Sequence, residues 1–571
     1  MKMLVTAPIF YVNGAPHLGH FYTAVLCDFI ARFYRLKGNE VIFSIGTDEH
    51  GQKVANAAQN ARINVHEYVN SASKAFKNLF DEAHISYSVF IRTTSLEHKK
   101  SALALWNAID KNGFFYEGYY QGWYSIDDEA FVTDSEVKFT GIPTEDSKAL
   151  STEGKYVVYR KERCIYFRLS AFKDELLEAY EFGDGNKHLG RIIVSDETRK
   201  AIIALLKRDV PDLAVSRLNC DWGIPIPNTD YKMYVWVDAL ANYLTAVGYP
   251  EKTIYEINQS EEWNESIHVI GKDISKFHAI YWPALLLAAG FKLPKRILVH
   301  GWWLVEGEKM SKSLNNVLDP HKLLDEYGEE ELRFLLLSEM NIGSDGNFSD
   351  QHMHQRLSTE LKNSWGNLVQ RVFKMCEDKV IYKPTELADH ETIQSYSVLE
   401  KMRSDTKDFV TTLDMNAKIL RVNYPEIATS IDNITQAIKK LFVHSSNVHL
   451  SFLKDFETDI SDCLQLYMGK FLRVQEYIKR VQKMISDVNA YFSTQEPWKK
   501  EDKMVILYVA CDCIRKIAAL FLPVMPTKSK QVLDMMGYEY SYDFKNLLED
   551  NVSKFHIRNV KQIFPSTNLE S

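Results

Sequence analysis

Apolar positions along this chain fall into two periods. Leu4 to Tyr11 is a nearly unbroken apolar run, which predicts a strand buried on both faces. Gly14 and Pro16 then make a turn. From His17 to Leu36 the residues Phe21, Val25, Phe29 and Phe33 recur at helical spacing, which predicts a helix. "EVIFSIGTDEHG" (40–51) reads as a second strand ending in a polar loop. Strand, glycine-bearing turn, helix and strand open a doubly wound parallel sheet, which binds ligands at the carboxyl ends of its strands. From about Phe114 to Asp212 the texture becomes acidic and turn-rich, as in "QGWYSIDDEAFVTDSE", and reads as an inserted module. Strand-like runs return in "KMYVWVDAL", "SIHVIG" and "KRILVHGWWLV", and from about Asp350 the pattern is mostly helical.

The expected fold is therefore α/β, a Rossmann-like sheet split by a connective insertion and followed by an all-α bundle. The boundaries read as 1–113 and 215–304 for the two halves of the sheet domain and 114–214 for the insertion. A loop and stem-contact region follows at 305–350, then the helical domain at 351–571. A length of 571 residues suits several domains. The net charge of −8 excludes a chain-wide basic coat, so any nucleic-acid site must be a local patch. Seven Cys without a C-x-x-C argue against a Cys-rich zinc site and for reduced thiols in an intracellular setting. The longest apolar run, Ala279 to Phe291, is about 13 residues and contains Pro283, too short to cross a bilayer. The N-terminus runs straight into the first strand, without a secretory leader.

Two stretches carry chemistry. In "NGAPHLGHFYTA" (13–24), His17 and His20 share one face of the first helical turn, where unpaired N–H groups and the helix dipole attract an anion. Gly19 lets a flat ring approach the backbone. Half of a metal site and plain core packing are the competing readings. In "VEGEKMSKSLNN" (305–316), Gly307 and two Asn mark a loop, and its lysines and serines form a mobile cationic clamp or merely a solvated loop.

Together, in this order on this fold, the two resemble the class I aminoacyl-tRNA synthetases. Their HIGH motif reads here His17-Leu18-Gly19-His20, and their KMSKS motif reads Lys309-Met310-Ser311-Lys312-Ser313. Further stretches are similar to the methionyl family within that class: "TAPIFYVNGAPHLGH" (6–20), "GTDEHGQK" (46–53), "FIRTT" (90–94), "YFRLS" (166–170), "SRLNCDWGIPIP" (216–227), "YVWVDALANY" (234–243), "HVIGKDISKFH" (268–278) and "GNLVQR" (366–371). The resemblance implies an ATP-dependent ligase that makes methionyl-adenylate and passes it to initiator and elongator tRNA(Met). It implies His17, His20, Lys309 and Lys312 as catalytic residues, and Gly19, Gly271, Asp273 and Ser311 as further ATP contacts. Ile9, Tyr11, Trp236, Ala239, Leu240, Tyr243, Phe277, His278 and Trp282 would line a methionine slot, with Asp48 on the ammonium. A flexible thioether does want an apolar, aromatic-lined slot. Asn367, Arg371 and Trp498 match the family's anticodon readers.

ATP is expected with Mg²⁺ but without a fixed protein cage for the ion. Many relatives carry zinc knuckles in the insertion. This insertion has only Cys164, so no structural zinc or other resident metal is expected. The family's appended dimerising domain has no counterpart after the helical region, so a monomer in the cytoplasm is expected. "GKFLRVQEYIKRVQK" (469–483) is a candidate basic RNA-facing helix or a solvated face. Small-molecule nucleotidyl transferases share the H-x-G-H start but have no use for the long helical tail. A non-catalytic tRNA-binding scaffold would not need intact His17, His20, Lys309, Lys312 and Asp48.

Overall fold

The computed structural model describes residues 1–125, 130–132, 134–145, 147–152, 154–182, 192–208, 210–218, 220–310, 316–384, 387, 429–433, 448–537, 543–549 and 552–564. The chain forms two compact units. One comprises 1–357 with 470–478 and 522–526; the other comprises 358–469, 479–521 and 527–571.

The first unit is built on a five-stranded parallel sheet. Its strands in chain order are β1 (Lys2–Tyr11), β2 (Glu40–Asp48), β3 (Val89–Arg92), then, beyond the insertion, Ser266–Gly271 and Arg296–His300. In space the order is Arg296–His300, Ser266–Gly271, β1, β2, β3, and every neighbouring pair is parallel. The chain winds outward through β2 and β3, then returns to the other side of β1. The switch point therefore lies between β1 and Ser266–Gly271, where such sheets open a crevice. β1 is central and buried along most of its length, which is why its sequence is a continuous apolar run. Helix α1 (Leu18–Leu36) packs on it, and Phe21, Val25, Phe29 and Phe33 are all buried as the spacing predicted, the rings of Phe29 and Phe33 against Tyr477.

The insertion hangs on two long antiparallel strands, Phe115–Ser125 and Tyr156–Phe167, and returns through Leu213–Ala214 against Tyr166 and Phe167. The expectation of a turn-rich module missed this ladder, because its alternating Tyr, Gly and charged residues lack a simple apolar period. Cys164 is buried on it opposite Gly118, its thiol pushed up to about 11 by burial.

Three local readings change. "KMYVWVDAL" is strand only at Lys232–Met233 and then turns into helix Val235–Leu240. Five residues of that helix are buried, so no amphipathic period was there to read. "KRILVHGWWLV" is two strands in different sheets: Arg296–His300 joins the parallel sheet, while Trp303–Val305 pairs with Gly346–Phe348. "VEGEKM" is not all loop: Glu308–Lys309 folds back antiparallel on Trp303–Val305. The connecting Glu306 and Gly307 both have positive φ, 49° and 81°, as a tight two-residue hairpin requires.

The second unit is mainly helical. Its elements include Asn367–Cys376 and Met504–Phe521, with a two-stranded patch of Val380–Tyr382 and Lys554–His556. Among the described residues no helix is long and apolar enough to cross a membrane.

Candidate active site

The start of α1 is tied by its own histidines. His17 is the N-cap and its Nδ1 accepts the Gly19 N–H at 3.1 Å, while His20 Nδ1 accepts the His17 N–H at 3.2 Å. A nitrogen that accepts carries no proton, so each neutral ring holds its proton on Nε2 and offers an Nε2–H donor. The rings stack at 3.7 Å, and His20 also packs on Phe10 and Phe76. Burial, and then the neighbouring His17, push the His20 pKa well below its ordinary value, so its ring is neutral at physiological pH. The expected row of open helix amides is partly spent: Leu18 N–H donates to Leu318 O and Gly19 N–H to His17. Gly19 also leaves room for the cap, since an added Cβ would sit 3.0 Å from the His17 ring.

Of the predicted slot residues, Tyr11, Trp236, Leu240, Tyr243, Phe277 and Trp282 pack into one apolar cluster. Ile9 and Tyr11 end β1, paired in register with Gly46 and Asp48 of β2. Asp48 is buried. Opposite stands helix Val235–Leu240, carrying Trp236, Ala239 and Leu240. Trp236 stacks on Phe277 at 3.7 Å and 7°. Tyr243, His278 and Trp282 are buried behind it. His278 Nδ1 meets the Ile274 carbonyl at 2.9 Å, so it is the donor there, and Nε2 accepts the Tyr243 hydroxyl at 2.6 Å. Burial holds His278 down at about 4.

Two flanking groups complete the geometry. Gly271 ends its strand with the exposed Asp273 folded across it; an added Cβ would lie 2.6 Å from Asp273 Oδ1. Lys309 is exposed on its hairpin, its Nζ 3.7 Å from the Trp302 ring centroid, and Lys272 Nζ lies 3.8 Å from the same ring. Ser311, Lys312 and Ser313 lie outside the described residues.

Several residues here were not singled out from sequence. His268, in the strand Ser266–Gly271, has Trp282 Nε1–H donating to its Nε2 at 3.4 Å and Thr6 Oγ1 2.8 Å from its Nδ1. Tyr243 stacks on its face at 4.2 Å. Burial first, then His278, lower it to about 3. A histidine inside the apolar run "SIHVIG" was the visible signal. His300, at the end of its strand, meets Thr23 Oγ1 at 2.8 Å and ties α1 to the sheet. Asp238 lies between two imidazoles, His50 Nδ1 at 2.6 Å and His98 Nε2 at 2.8 Å. Desolvation opposes its charge, but the two histidines override it and hold the carboxyl at about 2. A cavity of about 320 Å³ opens beside this loop, lined by His50, Gly51, Trp222 and Val235 and by Tyr124 and Arg217. Among the described residues no group of three or more His, Cys, Asp or Glu converges as metal ligands.

In the second unit Asn367 and Arg371 lie one turn apart on Asn367–Cys376, with Asn367 exposed. The Arg371 guanidinium sits 5.8 Å from the ring centroid of Trp498, which is 50% exposed and lies edge-on to Phe492 at 6.3 Å. The basic stretch 469–483 reads differently in three dimensions. Arg480 binds Asp459 and Asp462, Lys483 binds Asp487, and Arg473 binds Glu476. Charges so paired are a weak RNA surface, which favours the solvated-face reading.

A family model described as class I tRNA synthetases (M) matches residues 3–373. The chain is 37% identical to the methionine–tRNA ligase of Rickettsia conorii, covering 96% of this chain and 95% of that one. It is 35% identical to that of Mycobacterium leprae, covering 94% and 89%. A Mycobacterium tuberculosis methionyl-tRNA synthetase solved in complex with methionyl-adenylate superposes with a TM-score of 0.82 at 32% identity, covering 99% of this chain and all of that one. The chain belongs to the class I tRNA synthetases, in their methionyl family.

Proposed function

We propose that this chain activates L-methionine with ATP and transfers it to the 3′-terminal ribose of tRNA(Met). The observation that carries the reading is a juxtaposition. The Nε2–H donors of His17 and His20 lie at the start of α1, the buried Asp48 ends β2, and the rings of Trp236, Tyr243 and His278 pack on one another within the same unit. An ammonium on Asp48 and a thioether among the rings would aim the substrate carboxylate toward α1. One carboxylate oxygen attacks the α-phosphorus of ATP; the new O–P bond forms as the bond to the β-phosphate oxygen breaks and pyrophosphate leaves. The attacking carboxylate is already ionised at neutral pH, so positioning and charge stabilisation suffice. His17 and His20 donate to the α-phosphate side; Gly19 permits the cap, and Gly271 and Asp273 face the adenosine. Lys309, with Ser311 and Lys312, receives the β- and γ-phosphates. In the second step a terminal ribose hydroxyl attacks the carbonyl carbon and AMP leaves.

Asn367, Arg371 and Trp498 are assigned to the anticodon, as donors and a stacking platform. Among the described residues no carboxylate cluster stands ready for a divalent ion. Mg²⁺ is therefore assigned to the phosphates of ATP. The domain boundaries given above, a zinc-free insertion, a monomeric state and a cytoplasmic location belong to the same proposal. The test is amino-acid-dependent ATP–pyrophosphate exchange without tRNA. Exchange with methionine alone supports the reading; exchange with leucine, isoleucine or valine would keep the class and sink the slot.

A further inference from the structure

We propose that Asp238 is a positioning residue for methionine: through His50 it holds the end of β2, which bears Asp48, at a fixed distance from the aromatic wall of the slot. This rests on Asp48 being the ammonium site.

The substrate has to span two separate elements, with its ammonium at the end of β2 and its side chain against helix Val235–Leu240. A mismatch between them weakens the hold on methionine, because both ends of the substrate can no longer be seated at once. The structure joins the two elements through one carboxylate. Asp238 lies two residues from Trp236 and next to Ala239, on the helix that forms the wall. Its Oδ2 meets His50 Nδ1 at 2.6 Å, and His50 is two residues beyond Asp48. The His50 carbonyl accepts the Tyr11 hydroxyl at 3.0 Å, so the same loop also orients a predicted slot residue. On the far side, Asp238 Oδ1 meets His98 Nε2 at 2.8 Å, and His98 Nδ1 meets Thr245 Oγ1 at 3.1 Å.

The rest of the loop is equally constrained. Glu49 binds Arg92 through both carboxylate oxygens, at 2.7 and 3.0 Å, and the Glu49 carbonyl accepts Trp222 Nε1–H. Gly51, at φ 103°, turns the chain away, and its N–H donates to Trp222 O. Asp238, His50 and His98 are all buried. Three polar side chains in a core are a costly way to pack it, since apolar residues of similar volume would do so without desolvation. A carboxylate with both oxygens bonded does what apolar packing does not: it fixes one geometry.

The experiment compares Asp238→Asn, Asp48→Asn and the double variant in methionine-dependent pyrophosphate exchange, with thermal unfolding as the fold check. Asp238→Asn is expected to raise the methionine KM about tenfold, with the ATP KM and kcat within about twofold. Because it acts through Asp48, the double variant should be no worse for methionine than Asp48→Asn alone, a non-additivity that a general packing defect does not produce. Equal losses for methionine and ATP, or multiplied effects in the double variant, would overturn the proposal. So would an unchanged methionine KM in Asp238→Asn beside a raised one in Asp48→Asn. An unchanged KM in Asp48→Asn would instead remove the ammonium assignment, and this inference with it. Should Asp238→Asn not fold, His98→Gln makes the same test from outside the slot. A rise confined to the methionine KM supports the role, and a parallel loss for both substrates refutes it.

Discussion

Mild acid should destabilise the sheet unit through buried histidines that resist a second proton, His268 and His278 among them. The Trp282 indole N–H points at His268 Nε2, so the proton of that ring sits on Nδ1 facing Thr6 Oγ1. His278 uses Nδ1–H on the Ile274 carbonyl and Nε2 on the Tyr243 hydroxyl. Each ring is neutral, and a second proton would break an existing bond inside a dry core. Burial accordingly lowers His268 to about 3 and His278 to about 4, against an ordinary value of 6.5. Both folded values lie below the unfolded one. Neither residue affects stability above 6.5, and from there downward the unfolded chain takes up protons that the folded chain refuses. Each site then removes about 1.4 kcal/mol per pH unit. At pH 5, about 1.5 units below the unfolded value, the pair costs about 4 kcal/mol, a large share of typical domain stability. Asp238, held at about 2, contributes stability that is present above 3.8 and lost as pH falls through 2, so it stays outside this window. Urea unfolding between pH 5 and 7, followed by tryptophan fluorescence, reads the effect. All Trp except Trp365 and Trp498 lie in the sheet unit. His278→Gln should weaken the protein at pH 7 by loss of the Tyr243 bond, yet flatten the pH slope by about 1.4 kcal/mol per unit. A slope equal to that of the parent chain would refute the reasoning.

His17→Ala should lower the rate of adenylate formation about a hundredfold with the methionine KM little changed, because it removes a donor aimed at charge that develops in the transition state; pyrophosphate exchange checks this. Trp498→Ala should lower kcat/KM for tRNA about tenfold or more while leaving exchange without tRNA intact, given about 1–3 kcal/mol for a base stacked on an aromatic ring. Arg333→Met should destabilise by about 3–5 kcal/mol in denaturant titration. It strands the buried carboxylate of Asp28, which Arg333 meets at 2.5 Å, with Arg32 alone left to counter the charge. Gly46→Ala should unfold the sheet edge or block expression, since its Cβ would lie 2.0 Å from the Ile91 carbonyl oxygen and the strands cannot part without losing their ladder; circular dichroism and soluble yield report it.

Local order was legible from the amino acids because it depends on neighbours in the chain. The first strand, the helix from Leu18 and the second strand carry clean periods, and the pairs His17/His20 and Lys309/Lys312 are close enough in sequence to be read as units. The doubly wound sheet followed from that order of elements. Tertiary packing decided the rest. Burial turned "VWVDAL" into a helix, because an apolar run hidden on all sides has no period to betray its form. Contacts from afar set the proton positions: Thr6 meets His268 across 262 residues and Asp238 meets His50 across 188. Pairing also reversed the sense of a charge run, since Arg480 and Lys483 read as a basic stripe until their acidic partners came into place. Which residues carry chemistry could be read along the chain; which atom donates, which charge survives, and what holds Asp48 in place depend on groups that meet only when the chain has folded.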